Sequence, residues 1–231
     1  FILIIIFLFY IHIYMSSSFS NLNLEHAVLD NLTKLGFKKM TPIQAESLPM
    51  ILDGKDVIAQ AKTGSGKTVA FGIGLLSNLN ITSFHIQSLV LCPTRELADQ
   101  VAKELRALAR FTNNIKVLTL CGGASMRQQI SSLSHSAHII VGTPGRVIKH
   151  LNNGSLHFKG LNTLVLDEAD RMLDMGFNDA ITEIVSHLPK DNRQTLLFSA
   201  TYPDEISYLS ESIQNNAIKI QAKNIDVDNK I

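Results

Sequence analysis

The amino-acid sequence predicts an α/β fold, a mostly parallel sheet of about seven strands with helices on both faces. Three observations carry that expectation. Runs rich in Val, Ile and Leu recur at 56–61, 88–92, 117–121, 138–142, 163–167, 195–199 and 217–221. These runs are continuous rather than alternating, the pattern of strands buried on both faces. Helical periods separate most of them, as in 94–111, where Leu97, Val101, Leu105 and Leu108 make one apolar stripe.

In chain order, residues 1–14 come first and are almost wholly apolar, unlike anything after them. They fall short of the about 20 apolar residues that a membrane span needs. Ser16, Ser17 and Ser18 would suit a signal-peptide cleavage site, but no basic segment precedes the run and position 1 is not Met. We read Met15 as the start and the apolar run as translated upstream sequence outside the fold, with no membrane partner expected. Leu24, Val28, Leu32 and Leu35 then fall at helical spacing, and Gly36 is placed to stop that helix. Thr41-Pro42 opens a second short helix. The domain is expected to run over 15–222, and the polar stretch 223–231 reads as an exit linker.

A chain of 231 residues with a formal net charge of +1 suits one large domain and argues neither for nor against nucleic acid. Any polyanion site must therefore be local, built from backbone amides and a few arginines. Cys92 and Cys121 both lie in apolar runs and read as buried strand residues of a reducing compartment, the cytoplasm. The histidines show no zinc spacing, and His135 and His138 are expected at the surface around a strand start.

The most informative stretch is Asp56 to Thr68, a short apolar strand, a turn and a helix opening at Lys67. The turn Ala61-Lys62-Thr63-Gly64-Ser65-Gly66 can point successive N–H groups at a phosphate chain, and the helix N-terminus adds partial positive charge. Lys67 would reach the outer phosphates and Thr68 would offer a hydroxyl to Mg²⁺. Ala61 stands where the general pattern has Gly, which matters little if it ends the strand with ordinary backbone angles. Glycines that merely make a bend are the alternative, but Gly64, Gly66, Lys67 and Thr68 together favour a nucleotide site.

In such a sheet ligands bind beyond the carboxyl ends of the strands. One strand ends in Asp167-Glu168-Ala169-Asp170. Beside a nucleotide, Asp167 would hold Mg²⁺ and Glu168 would orient or deprotonate the attacking water; alone, the cluster could be an acidic helix start. Ser199 and Thr201 end another strand, as helix caps or as hydrogen-bond partners of Asp170 that transmit the nucleotide state. Pro93-Thr94-Arg95, Gly122-Gly123 and Thr143-Pro144-Gly145-Arg146 each put N–H groups, a hydroxyl or an arginine at a helix or turn start. That suits a sugar–phosphate backbone. An ordinary turn is the preferred reading of Gly122-Gly123 alone, and the two arginine segments divide evenly between the readings.

Taken together, the segments resemble the DEAD-box ATP-dependent RNA helicases from about Phe19 onward. Gly36-Phe37 with Thr41-Pro42-Ile43-Gln44, Ala61 to Thr68, Pro93 to Leu97, Gly122-Gly123, Thr143 to Arg146, the literal Asp-Glu-Ala-Asp at 167–170 and Ser199 to Thr201 stand in family order. The family favours Ala at the position of Ala61; Met40 departs from its commonest form, which has Pro there. Met40-Thr41-Pro42, Ala59 to Lys62, Leu91-Cys92-Pro93 through Ala98-Asp99-Gln100 and Leu118 to Gly123 are most similar to a bacterial subgroup, the DbpA type.

The resemblance implies a RecA-like P-loop NTPase domain with ATP and Mg²⁺ as cofactors. Within 19–44, it implies that Gln44 reads the adenine edge, with Thr41 in the same motif, Phe37 packed on the base and Phe19 supporting it. Ser199 and Thr201 would couple hydrolysis to strand separation. Pro93, Thr94, Arg95, Gly122, Gly123, Thr143, Pro144, Gly145 and Arg146 would line one RNA strand, ribosomal RNA by analogy with the subgroup. The family's second RecA-like domain, which supplies an arginine finger, has no counterpart after Thr201. The chain alone is therefore expected to bind ATP weakly and hydrolyse it hardly at all. The leading reading is the first domain of an RNA-unwinding or remodelling ATPase. The alternatives are a nucleotide-gated RNA-binding module without useful catalysis, and a P-loop ATPase with another substrate.

Overall fold

The computed structural model describes residues 17–112 and 114–221; the apolar run with its start at Met15 and the polar stretch 223–231 lie outside them. The chain enters through a short 3₁₀ turn at Phe19–Asn21, then α1 (His26–Lys34) and α2 (Pro42–Leu52). Strands and helices then alternate: β1 (Val57–Gln60), α3 (Lys67–Ser77), β2 (Ser88–Leu91), α4 (Arg95–Leu108), β3 (Val117–Leu120), α5 (Met126–Leu133) and β4 (Ile139–Gly142). There follow α6 (Pro144–Asn152), β5 (Thr163–Leu166), α7 (Ala169–Asp174), α8 (Asn178–Ser186), β6 (Gln194–Ser199), α9 (Asp204–Ile213) and β7 (Ile218–Gln221).

Each strand lies within the apolar run that predicted it, except that β6 begins one residue earlier at Gln194. The sheet has the order β3-β4-β2-β5-β6-β1-β7, and every pairing is parallel. Side-chain alternation explains why the runs are continuous. Val57 and Ala59 join an apolar layer with α1 to α4, whereas Ile58 joins a second layer with α6 to α9. Both faces of β1 are therefore core. Helix α4 buries Ala98, Val101, Ala102, Leu105 and Leu108, while Leu97 of the expected stripe stays only half-buried.

The helix ends follow local chemistry. Gly36 ends α1 with φ +87°, a left-handed angle that lets Phe37 N–H return to Leu32 O at 2.9 Å. Pro42 occupies the first turn of α2, and the Gln44 side chain accepts from Thr41 N at 2.9 Å. One surface expectation is corrected. His138 is only 2% exposed, because it leads into the interior strand β4, between β3 and β2, and its Nδ1 accepts from Lys116 N at 3.1 Å.

At the amino ends of the strands, the buried Asp56 carboxylate accepts from Thr195 N at 2.7 Å and Asn215 N at 2.6 Å. It thereby ties β1 to β6 and to the turn before β7. Asp56→Ala would strand two backbone donors, so a stability loss of about 2–3 kcal/mol is expected in urea unfolding. An unmoved midpoint at unchanged slope would show that water replaces the carboxylate.

Candidate functional site

The strand order sorts the carboxyl-end loops into two groups. Loops after β5, β6 and β1 lie side by side, as do those after β3, β4 and β2.

In the first group Ala61 continues β1, its N–H bonding Ser199 O at 3.0 Å, so strand geometry carries into the Gly-rich turn. Gly64 and Gly66 have φ of +80° and +92°. A Cβ on Gly66 would also stand 2.4 Å from Gln44 Nε2, so only glycine fits there. Lys67 opens α3; it is 6% exposed, and its Nζ donates to Ala61 O at 3.0 Å. Thr68, next in the helix, is half-buried. Lys62 and Thr63 are exposed at the lip, and the Ser65 hydroxyl is buried with no hydrogen-bond partner. The left-handed angles at Gly64 and Gly66 and the N-terminus of α3 thus make the loop a donor-rich cradle.

Gln44 sits beneath this cradle, only 2% exposed, and donates from Nε2 to Gly66 O at 3.0 Å. The amide braces the loop from α2. Phe19 is buried in the core, with Phe37 packed half-buried against the same apolar layer.

After β5, Asp167 is 3% exposed, and burial pushes its carboxyl up to about 6 against the favourable charge of Lys67. Glu168 has a left-handed backbone, φ +53°. Its carboxylate accepts from Thr63 Oγ1 at 3.3 Å and from Arg171 Nη1 at 3.2 Å, linking α7 to the cradle. Asp170 bridges to the end of β6, accepting from Thr201 N and Thr201 Oγ1, both at 2.9 Å, and from Ala200 N at 3.2 Å. Burial raises the Asp170 pKa, but the hydrogen bonds from Thr201 and from Arg171 N outweigh it and hold the carboxyl below its ordinary value. The fully buried Ser199 hydroxyl itself makes no close hydrogen bond.

In the second group Thr94 caps α4, accepting from Leu97 N at 3.3 Å, behind the buried Pro93. Arg95 lies over Gly123: a Cβ on Gly123, whose φ is +80°, would stand 2.7 Å from Arg95 Nη1. Gly122 has open space around it and needs no such room. Thr143 holds the N-cap position of α6 without a side-chain capping bond, Pro144 and Gly145 form its first turn, and Arg146 Nη1 donates to Ala124 O and Gln129 Oε1, each at 3.0 Å. All three segments therefore meet on one face. Burial pushes the Cys121 thiol up to about 11 and that of Cys92 well above its usual value, so neither is a ready nucleophile.

Arg171 and Gln129 were missed by the sequence reading. Arg171 follows Glu168 at i+3, a helical ion-pair spacing that could have revealed it; Gln129 carries no local signal.

A parallel sheet with a glycine cradle and buried lysine after β1, and a carboxylate pair after β5, on the two strands that flank β6, defines a P-loop nucleotide-binding domain. The DEAD/DEAH box helicase family model matches residues 41–209, and the chain belongs to that family. It is 57% identical over 211 residues to the ATP-dependent RNA helicase DbpA of Escherichia coli (strain K12), covering 91% of this chain and 46% of that protein. It is 46% identical over 215 residues to the DEAD-box ATP-dependent RNA helicase CshA of Geobacillus kaustophilus (strain HTA426), covering 92% and 46%. The crystal structure of a DEAD box protein from the hyperthermophile Methanococcus jannaschii superposes with a TM-score of 0.85 at 41% identity, over 90% of this chain and 56% of that one. The chain thus spans about half the length of these relatives. No helix among the described residues is long and apolar enough to cross a membrane.

Proposed function

We propose that this chain is the ATP-binding domain of a cytoplasmic ATP-dependent RNA helicase that unwinds RNA duplexes or remodels RNA–protein complexes, with ribosomal RNA as its substrate class. A second RecA-like domain of the same protein would complete both sites. The supporting observation is the placement of the cradle, the Asp167-Glu168 pair and the Asp170–Thr201 bridge next to a face bearing Arg95, Gly123 and Arg146.

In this reading the cradle amides and Lys67 hold the phosphates, and Glu168 orients or deprotonates the attacking water. Glu168 must first release Thr63 Oγ1, which occupies one of its oxygens. Gln44 and Phe37 select adenine, supported by Phe19 and Thr41, once the Gln44 amide turns from its bonds to Thr41 N and Gly66 O. The donor set suits Mg²⁺: Thr68 offers a hydroxyl, and Asp167 a carboxylate whose burial disfavours its unpaired charge and so favours a cation beside it. When bound, the ion would neutralise phosphate charge. The Asp170–Thr201 bridge, with Ser199 beneath it, passes the nucleotide state to the end of β6.

RNA-stimulated ATP turnover by the full-length protein tests the reading; turnover indifferent to RNA would overturn it. Arg146→Ala should weaken binding to a single-stranded RNA and lower the salt slope by about one counterion, with ATP affinity retained. An unchanged slope would remove Arg146 from the RNA contacts.

A further inference from the structure

We infer that Gln129 is a positioning residue for RNA, locking Arg146 and the Gly122-Gly123 turn into one preorganised phosphate-binding unit. The inference deepens the proposed function and rests on the reading of Arg146 as a phosphate contact.

Gln129 lies on α5 and is only 7% exposed. Its Nε2 donates at 3.0 Å to the carbonyl of Cys121, the residue before Gly122. A carbonyl can only accept, which fixes the amide orientation. The Oε1 atom therefore faces α6, where it accepts from Arg146 Nη1 at 3.0 Å and from His150 Nε2 at 2.9 Å. His150 must then carry its proton on Nε2.

The rest of the ring is equally constrained. His150 is fully buried, and its Nδ1 meets Ser155 Oγ at 2.8 Å. Burial, reinforced by the Arg146 charge, lowers its pKa and keeps the imidazole neutral. Arg146 Nη1 also donates to Ala124 O, so α6 grips the 121–125 turn from two directions. One amide thus supplies a donor to the turn and an acceptor shared by two α6 side chains. Glutamate lacks the donor and leucine lacks both functions. Holding a guanidinium and adjacent backbone amides in fixed register lowers the ordering cost of binding successive phosphates.

The test is a double-mutant cycle in the full-length protein, read as affinity for a fluorescent single-stranded oligouridylate with a non-hydrolysable ATP analogue present. Gln129→Leu should weaken RNA binding roughly three- to tenfold and leave affinity for the analogue unchanged. In an Arg146→Ala background the same change should add little. A full, additive loss in that background would show a general structural effect and overturn the inference. If Gln129→Leu does not fold, the His150 pair decides: His150→Gln keeps a donor for Gln129 Oε1 and should bind more tightly than His150→Leu. Equal affinities there would also overturn it. If Arg146→Ala alone leaves RNA affinity unchanged, the underlying phosphate reading fails first.

Discussion

Replacing Lys67 by alanine is expected to reduce ATP turnover by roughly two to three orders of magnitude, the usual effect of removing one preorganised charge donor from a reacting centre. The lysine is held in place before any nucleotide arrives. Its stem is buried at the start of α3 and its ammonium is satisfied by Ala61 O at 3.0 Å, within the influence of Asp167. Little ordering remains to be done when phosphate displaces that carbonyl. Alanine loses the charge, and water filling the space cannot replace a fixed cation. Phosphate release under saturating RNA, with nucleotide affinity measured separately, checks the expectation. Turnover within a few-fold of the parent would mean that the cradle amides alone carry the outer phosphates.

Asp167→Asn should stabilise the nucleotide-free protein at neutral pH while removing its response to Mg²⁺ and ATP. The folded carboxyl has a pKa raised from 3.8 to about 6, chiefly by burial. At about 1.4 kcal/mol per unit, that rise corresponds to about 3 kcal/mol. A raised folded pKa means that stability is fully present below the unfolded value and is lost as pH rises through the folded one. The parent should therefore lose this stability between about pH 4 and about pH 6, whereas the asparagine variant should not. Urea unfolding in EDTA at about pH 4 and about pH 7 separates the cases, since the gain should appear only at the higher pH. An equal difference at both pH values would refer the effect to packing. The same burial that destabilises the empty site would favour a cation beside the Asp167 carboxylate.

Much of the fold was legible in the residues. Val57 to Ala59 read as doubly buried because all three are apolar, and the structure gives each face its own core layer. Gly36, Thr41-Pro42 and the Gly64 to Thr68 turn carry local conformational requirements, so they were readable one at a time. His138 was misread because a polar residue at the start of a run looks like surface until its strand is known to have a neighbour on each side. Gln129 was invisible because a buried polar side chain is explained only by partners, and its partners lie on β3 and α6. The Glu168–Arg171 pair lay within helical reach but competed with many other charged residues.

The sequence by itself determined the strands and helices, the glycine-rich turn before α3 and the residue types at the strand ends, because periodicity, glycine geometry and helix-start chemistry act over a few residues. Tertiary structure alone decided which ends become neighbours. Along the chain the site segments interleave, whereas the order β3-β4-β2-β5-β6-β1-β7 places the loops after β1, β5 and β6 together and those after β2, β3 and β4 beside them. That order arises from long-range parallel pairing and the packing of each crossover helix on the sheet, which no local pattern specifies. The same packing decided that Gln44 braces the cradle and that Arg146 is held by Gln129.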